Sequence, residues 1–473
     1  MHSTRGSLVV LMSLLAAASC VDSDENGTPN ADAGLDLDAG SKSDATTPTD
    51  ASLIDAPTPT SDASDATTLD AGGDSAAPDA STTFTCGAVT QLDSKGGIDG
   101  SASVSAATGP SGRWIATWFQ TSATSGDGQY HAKARVMDGS TLLPEQDLGI
   151  TTFALGAPVA VDNAGRAYTF QDASRRTVDL ATGTLTAESL ASIAGGGTDK
   201  IAMAPLRAGG AISLYRTGTA MVADRWDTVQ SKWVATDLVG PPLALGMRVV
   251  TNAAGKAAAL WYVSDGAGGN DLYVSTYDGS HWVAAKKKNF PIGGGSTARF
   301  TLALLSTGDA AIAYEVGGAM AFMKYNAIAG TFGAPTTVNA TGTSNPALVV
   351  DDLDRTTVGY LRGGKAYTRL DTGAGFSPEH DLGAATSLRL KEGPAASVVA
   401  LTYRTPSIYI ARAGAGSSAW STPVSTAAGI SNGEDVARQA DVVFDATGRA
   451  VVITQQNSLD GGAGLVMAQV TCQ

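Results

Sequence analysis

The chain has 473 residues, a formal net charge of −14 and three cysteines. It carries no basic stripe and no nucleic-acid-binding motif, which sets nucleic acid aside as a partner. Past the first 20 residues no segment reaches transmembrane length without charges, Gly or Pro, so a spanning helix is not expected.

Met1 to Ser7 holds one cation, Arg5, and Leu8 to Ala18 is wholly apolar or small. Basic start, short apolar run and small exit residues are the layout of a signal peptide, expected over 1–19. Ala17, Ala18, Ser19 and Cys20 (AASC) then resemble the lipobox of bacterial lipoproteins, with Ala17 standing where Leu is usual. That resemblance implies a Cys20 that is acylated and becomes the mature N-terminus, since stable anchoring takes more than one acyl chain. Val21 rather than Asp follows it, which by the same resemblance favours the outer membrane. The second reading is ordinary cleavage that leaves Cys20 as a spare thiol.

Residues 21–80 contain 13 Asp and 1 Glu against one Lys, and no aromatic. Asp-Ala recurs from Asp32 to Asp79 with Thr, Ser, Pro and Gly between. Such a segment buries too little apolar surface to offset the entropy of ordering it, so 20–83 reads as a disordered tether. A flexible chain of that length spans roughly 45 Å, and self-repulsion stretches it further. Nearly all of the net charge resides there, and the remainder of the chain is close to neutral.

From Phe84 onward a unit recurs: VAVDNAGRAYTF (159–170), VVTNAAGKAAALWY (249–262) and VVFDATGRAVVIT (442–454) are its clearest copies. Each is a strand, a tight turn opened by Asp or Asn and closed by Gly, and a second strand. The chain holds eight copies, with turns near Gly112, Gly165, Gly209, Gly255, Gly308, Asp354, Gly393 and Gly448. Their spacing of about 40–55 residues is that of four-stranded propeller blades. A second hairpin follows each first one, most plainly in DLYVSTYDGSHWVAA (271–285). The aromatics after these second turns are expected to pack on a neighbouring blade. The fold class is therefore all-β: a propeller of eight four-stranded blades over 84–473.

The eighth copy ends with LVMAQVTC (465–472) and lacks an outer strand, whereas FTCGAVTQL (84–92) precedes the first copy without a partner. If the N-terminal strand completes the last blade, the ring closes and the exposed edge disappears. Cys86 and Cys472 sit in those two strands, and export would join them as a disulfide contributing about 2–4 kcal/mol. Two buried free thiols are the alternative.

The repeat resembles the sialidase-like or BNR-like propellers of secreted bacterial proteins, and the acidic stalk resembles those of myxobacterial surface lipoproteins. The Asp-box of that superfamily is only approximated by STYDGSHW (275–282), where Asp278, Gly279 and Trp282 are present with the Asp shifted by one.

For chemistry, the histidines His2, His131, His281 and His380 lie far apart, and no His or Cys pair has metal-ligand spacing. No phosphate loop and no nucleophile elbow occurs, so no catalytic residue, metal or cofactor is assigned. Arg216, Glu315, Arg362 and Arg404 follow second strands at equivalent places, which puts them on one propeller face as candidate ligand-binding residues. Three arginines on a carboxylate beside a Glu would resemble a sialidase pocket; loop charges in water are the plainer alternative. Trp118, Phe170, Tyr215, Trp261, Tyr314, Tyr360 and Tyr403 recur at one repeat position and read as core between blades rather than sugar platforms. The expectation is a monomeric lipoprotein of the outer membrane, held there by its lipid anchor. Its propeller is read as a non-enzymatic binding or scaffold module for a glycan or protein, with a surface glycoside hydrolase of sialidase type as the alternative.

Overall fold

The computed structural model describes residues 84–94, 104–120, 129–139, 141–151, 158–171, 174–189, 201–206, 209–216, 221–236, 245–264, 270–290, 300–429, 440–457 and 465–473. Residues 1–83, where a signal segment, an acylated Cys20 and an acidic tether are expected, fall outside them.

The described residues form eight antiparallel sheets arranged as the blades of a propeller. The first strands are Ser105–Thr108, Val159–Val161, Ile201–Pro205, Leu245–Thr251, Phe300–Leu304, Thr343–Val350, Ser387–Glu392 and Ala440–Phe444, in blades 1 to 8. They lie innermost, each against that of the next blade for most of the ring, and the first strand of blade 1 meets that of blade 8. In blades 1 and 5 the fourth strand is broken in two, as Thr141–Leu142 with Gln146–Thr151 and Thr331–Phe332 with Thr336–Asn339.

The turn chemistry read from the repeats is what bends the chain. Asp162 Oδ1 accepts the N–H of Ala164 at 3.0 Å and of Arg166 at 2.9 Å, with Gly165 at φ +79°. Asp445 does the same for Thr447 at 2.9 Å and Arg449 at 3.1 Å. A carboxylate that caps two N–H groups fixes the turn, and glycine takes the left-handed backbone without a Cβ clash. Blade 7 differs: Gly393 is extended at φ −111°, and Ala395 and Ala396 take the positive φ after Pro394.

Second strands such as Trp114–Gln120 are buried at every residue. Each blade is covered on both faces by its neighbours, so alternation gives way to continuous apolar sequence. The recurrent aromatic row is core: Trp118, Phe170, Trp261, Tyr314, Tyr360 and Tyr403 are each no more than 3% exposed, and Tyr215 is 7%. The aromatics after the second turns pack on the preceding blade, Trp233 against Tyr168 of blade 2 and Trp282 against the Leu206 cluster of blade 3.

The ring closes as the chain ends imply. Thr90–Gln91 pairs with the last strand, Leu465–Cys472, at Thr90↔Gln469 and Gln91↔Ala468. Backbone bonds Thr85 N to Gln473 O (2.8 Å) and Gly87 N to Thr471 O (2.9 Å) extend the match. Cys86 and Cys472 are joined by a disulfide, S–S 2.02 Å. Phe84 is buried in the core of blades 7 and 8, with the Arg412 guanidinium 4.8 Å from its ring centre.

Candidate functional site

In an antiparallel blade the turns between strands one and two share a face with those between strands three and four. On that face a cavity of about 280 Å³ opens at the axis, walled by first strands of blades 4 to 7 through Thr251, Leu304, Val350 and Lys391. Its rim carries Asn252, Ser306, Asp352 and Asp354 from the adjoining turns and Glu392 from the end of the first strand of blade 7. Several rim groups serve the fold. Asn252 donates to Leu305 O at 2.7 Å, joining blades 4 and 5, and Asp354 accepts the Ser306 N–H at 2.6 Å, joining blades 5 and 6.

Below the rim the first strands carry charges that break their apolar runs. Asp441 of blade 8 is 3% exposed in its side chain and binds three blades together. Its Oδ2 accepts Ala106 N–H of blade 1 at 2.9 Å and lies 3.1 Å from Arg389 Nη2 of blade 7. Its Oδ1 accepts Val442 N–H at 2.8 Å and Lys391 Nζ of blade 7 at 3.0 Å. Lys391 also donates to Ala106 O at 3.2 Å, and Arg389 to Ala440 O at 2.7 Å. Burial alone would raise the Asp441 carboxyl, but the Arg389 and Lys391 charges and its N–H donors outweigh that and hold it below the ordinary aspartate range. Desolvation lowers the Lys391 ammonium, and repulsion from Arg389 adds to this against the pull of Asp441.

Arg248 belongs to the same throat. It sits on the first strand of blade 4, which in an eight-membered ring is opposite blade 8. A β-bulge between Leu245 and Arg248 shifts the register there, with Gly246 at φ +57° under the Tyr262 ring. Bulges re-aim side chains, and here Arg248 is exposed while Met247 and Val249 beside it are 1% and 7% exposed. Desolvation nevertheless lowers its pKa, and the Arg389 charge from across the ring lowers it further. A group that touches water yet is ringed by protein is what a channel produces.

The four charged residues expected to share a face end second strands of blades 3, 5, 6 and 7, on the face opposite the cavity. Their registers differ: Arg362↔Lys365 and Arg404↔Ser407 flank two-residue turns, Glu315↔Met320 lies one pair inside the Val316↔Ala319 turn, and Arg216 pairs with Met221. Two of the side chains are drawn onto partners in their own blades. Arg362 is bidentate on Glu379, at 3.0 and 2.7 Å, and stacks 4.5 Å from the Tyr367 ring centre. Arg404 lies 5.9 Å from the Tyr409 ring centre.

Glu379, just before the fourth strand of blade 6, is the partner that sequence reasoning missed. It accepts the Tyr360 hydroxyl and Asn339 Nδ2 of blade 5 at 2.6 Å, as well as Arg362. Burial raises the Glu379 carboxyl, but Tyr360, Arg362 and Asn339 together bring it below the ordinary glutamate range. A tyrosine beside a glutamate and an arginine has the parts of a sialidase nucleophile. Tyr360, however, is 0% exposed, and burial followed by its bond to Glu379 pushes its hydroxyl well above the ordinary phenol range. That is the reverse of activation.

STYDGSHW forms an ordinary turn: Asp278 Oδ1 accepts Ser280 N–H at 2.7 Å and His281 N–H at 2.8 Å, with Tyr277 bridged to Trp282. Among the described residues no three His, Cys, Asp or Glu side chains gather as a metal ion would require.

These features define the chain as an eight-bladed β-propeller. No family model and no curated protein matches its sequence. Among solved structures it is similar to the Dos1 propeller, with TM-score 0.49 and 9% identity over 82% of this chain and 95% of that one. It is similar to a streptogramin B lyase, with TM-score 0.41 and 10% identity over 67% and 92% of the two chains. A protein of unknown function from Dyadobacter fermentans gives TM-score 0.43 and 10% identity over 82% and 99%. These likenesses concern architecture, not chemistry.

Proposed function

We propose that the chain is a lipoprotein of the outer membrane, anchored through Cys20 and carrying its propeller on the acidic tether of 20–83 as a non-catalytic binding module. The lipobox-like AASC and the solvated composition of 21–80 support the anchor and the spacer. The observation that carries the binding reading is the state of Tyr360, Glu379 and Arg362. They hold the parts of a glycosidase centre, yet the phenol is sealed in the core and the carboxylate is saturated by three donors. The axial cavity, by contrast, opens on a face with polar and charged groups and is small enough to admit one sugar-sized or peptide end group.

A glycan and peptide array probed with the full-length mature protein tests the binding reading, and retained ligand without turnover is expected. Hydrolysis of a fluorogenic sialoside that Glu379→Gln abolishes would establish the hydrolase instead. Mass analysis of the N-terminal peptide tests the anchor: an acylated Cys20 is expected, and an unmodified Cys20 overturns it.

A further inference from the structure

We propose that the channel throat is an anion-binding site, in which Arg248 of blade 4 and Arg389 and Lys391 of blade 7 receive a carboxylate, sulfate or phosphate group of a small solute or a saccharide unit. The inference rests on the binding-module reading and supplies the ligand's chemistry.

The charge balance of the throat is the first ground. On the described first strands three cations, Arg248, Arg389 and Lys391, stand with two carboxylates, Asp441 in the throat and Glu392 at the rim, where the adjoining turn of blade 6 adds Asp352 and Asp354. Both Asp441 oxygens are engaged, Oδ1 by Val442 N–H and Lys391 and Oδ2 by Ala106 N–H and Arg389. Asp441 therefore neutralises its own side of the channel and leaves Arg248 opposite uncompensated. The excess within the throat, below the acidic rim, stands inside a folded body whose own sequence, from residue 84 on, is close to neutral. Like charges placed close together in a partly desolvated channel repel each other, and an anion between them converts that repulsion into attraction.

The second ground is geometric. Arg248 follows a bulge that the first strand of blade 6 also carries between Ser344 and Ala347, and it is exposed where Met247 and Val249 on either side are buried. Its Nη1 donates to its neighbour's carbonyl, Met247 O at 3.0 Å, and a guanidinium has five N–H donors in a fork that suits oxyanions. Arg389 and Lys391 keep 27% and 29% of their side-chain surface accessible despite their bonds to Asp441. Lys391 also walls the axial cavity, so the throat is continuous with an entrance. A cavity of about 280 Å³ falls just short of the roughly 300–1,000 Å³ of small-molecule pockets. It suits one small anion or one charged ring rather than a long chain.

The test is calorimetric titration of the full-length mature protein with sodium glucuronate, sulfate and inorganic phosphate at about 20 mM ionic strength, where screening is weak. Glucose serves as the neutral control. At least one anion is expected to bind one-to-one and glucose not to bind, the arms showing which oxyanion the throat prefers. Arg248→Gln should weaken that binding by about 10–100-fold, the worth of a charged hydrogen-bonded contact, and Arg248→Lys should restore part of it. Raising NaCl to about 300 mM should weaken wild-type binding as well, a readout that needs no variant. The proposal is overturned if no anion outbinds glucose, or if Arg248→Gln binds the anion as wild type does. Retained ligand on the array with no anion binding would sink this inference alone; an empty array with anion binding intact would sink only the larger-ligand reading.

Discussion

Replacing Asp441 by Asn removes one negative charge from the seam where blades 7, 8 and 1 meet and keeps the side-chain shape. Asn offers one acceptor oxygen in place of two, so either Ala106 N–H or Val442 N–H loses its partner, and Arg389 and Lys391 are left as neighbouring like charges. Breaking a buried ion pair from one side costs about 3–5 kcal/mol. Here the cations keep 27% and 29% exposure and recover some hydration from the channel, which lowers the expected cost to about 2–4 kcal/mol. With an unfolding entropy of about 2.1 cal/mol/K per residue over about 390 residues, that is a fall in Tm of about 2–5 °C at neutral pH. Scanning calorimetry reads it directly. The matched control is Asp138→Asn, which breaks the 2.7 Å pair with Arg113 where both side chains are a third or more exposed. Exposed pairs contribute about 0–1 kcal/mol, so a shift near 1 °C or less is expected. An Asp441→Asn shift no larger than that of the control would refute the keystone role.

The same carboxylate sets a pH dependence. Because its folded pKa is held below the unfolded value of about 3.9, its contribution is complete above that pH and is lost as pH falls through the folded pKa. The Tm gap between wild type and Asp441→Asn should therefore shrink on acidification below about pH 4; a gap that widens in acid would contradict the assignment. Gly112 and Gly165 separate a seam from a free turn. Both have φ near +70 to +80°, but a Cβ on Gly112 would stand 1.7 Å from Ala446 N of blade 8, whereas one on Gly165 meets nothing within 4 Å. Gly165→Ala should cost about 1–2 kcal/mol from backbone strain alone and Gly112→Ala clearly more in denaturant titrations; equal costs would deny the blade 1 to blade 8 contact. Trp261→Ala, at a site 0% exposed and stacked 5.8 Å from Tyr273, should lose about 3–5 kcal/mol, while Val229→Ala at 94% exposure should stay within about 0.5 kcal/mol.

The blades were legible because four of the repeats, in blades 2, 4, 6 and 8, spell their own turns. Asp162, Asn252, Asp351 and Asp445 all cap the N–H groups of the turns they open, a local interaction that sequence carries whole. Closure was legible for another reason: the unpartnered N-terminal strand and the last strand of the incomplete eighth copy each held a cysteine. Blade 7 departs from the pattern within a turn of the same length, where Pro394 follows Gly393 and two alanines take the φ expected of glycine. The throat was harder to see. Arg248, Arg389, Lys391 and Asp441 occupy different places in different blades, so no repeat position advertises them. Their one signal was a charge inside an apolar first strand, as in MRVV, LRLK and ADVVF. The ion pair of Arg362 with Glu379 was equally hidden, since their 17-residue separation spans two strands that meet only once the blade is formed.

The closed ring is tested most directly by peptide mapping without reduction, after alkylating any free thiol in the native protein. The account predicts a single cross-linked species joining the Cys86 and Cys472 peptides, released by reductant, with neither cysteine alkylated. Recovery of both peptides separately, each carrying the alkyl label, would contradict it.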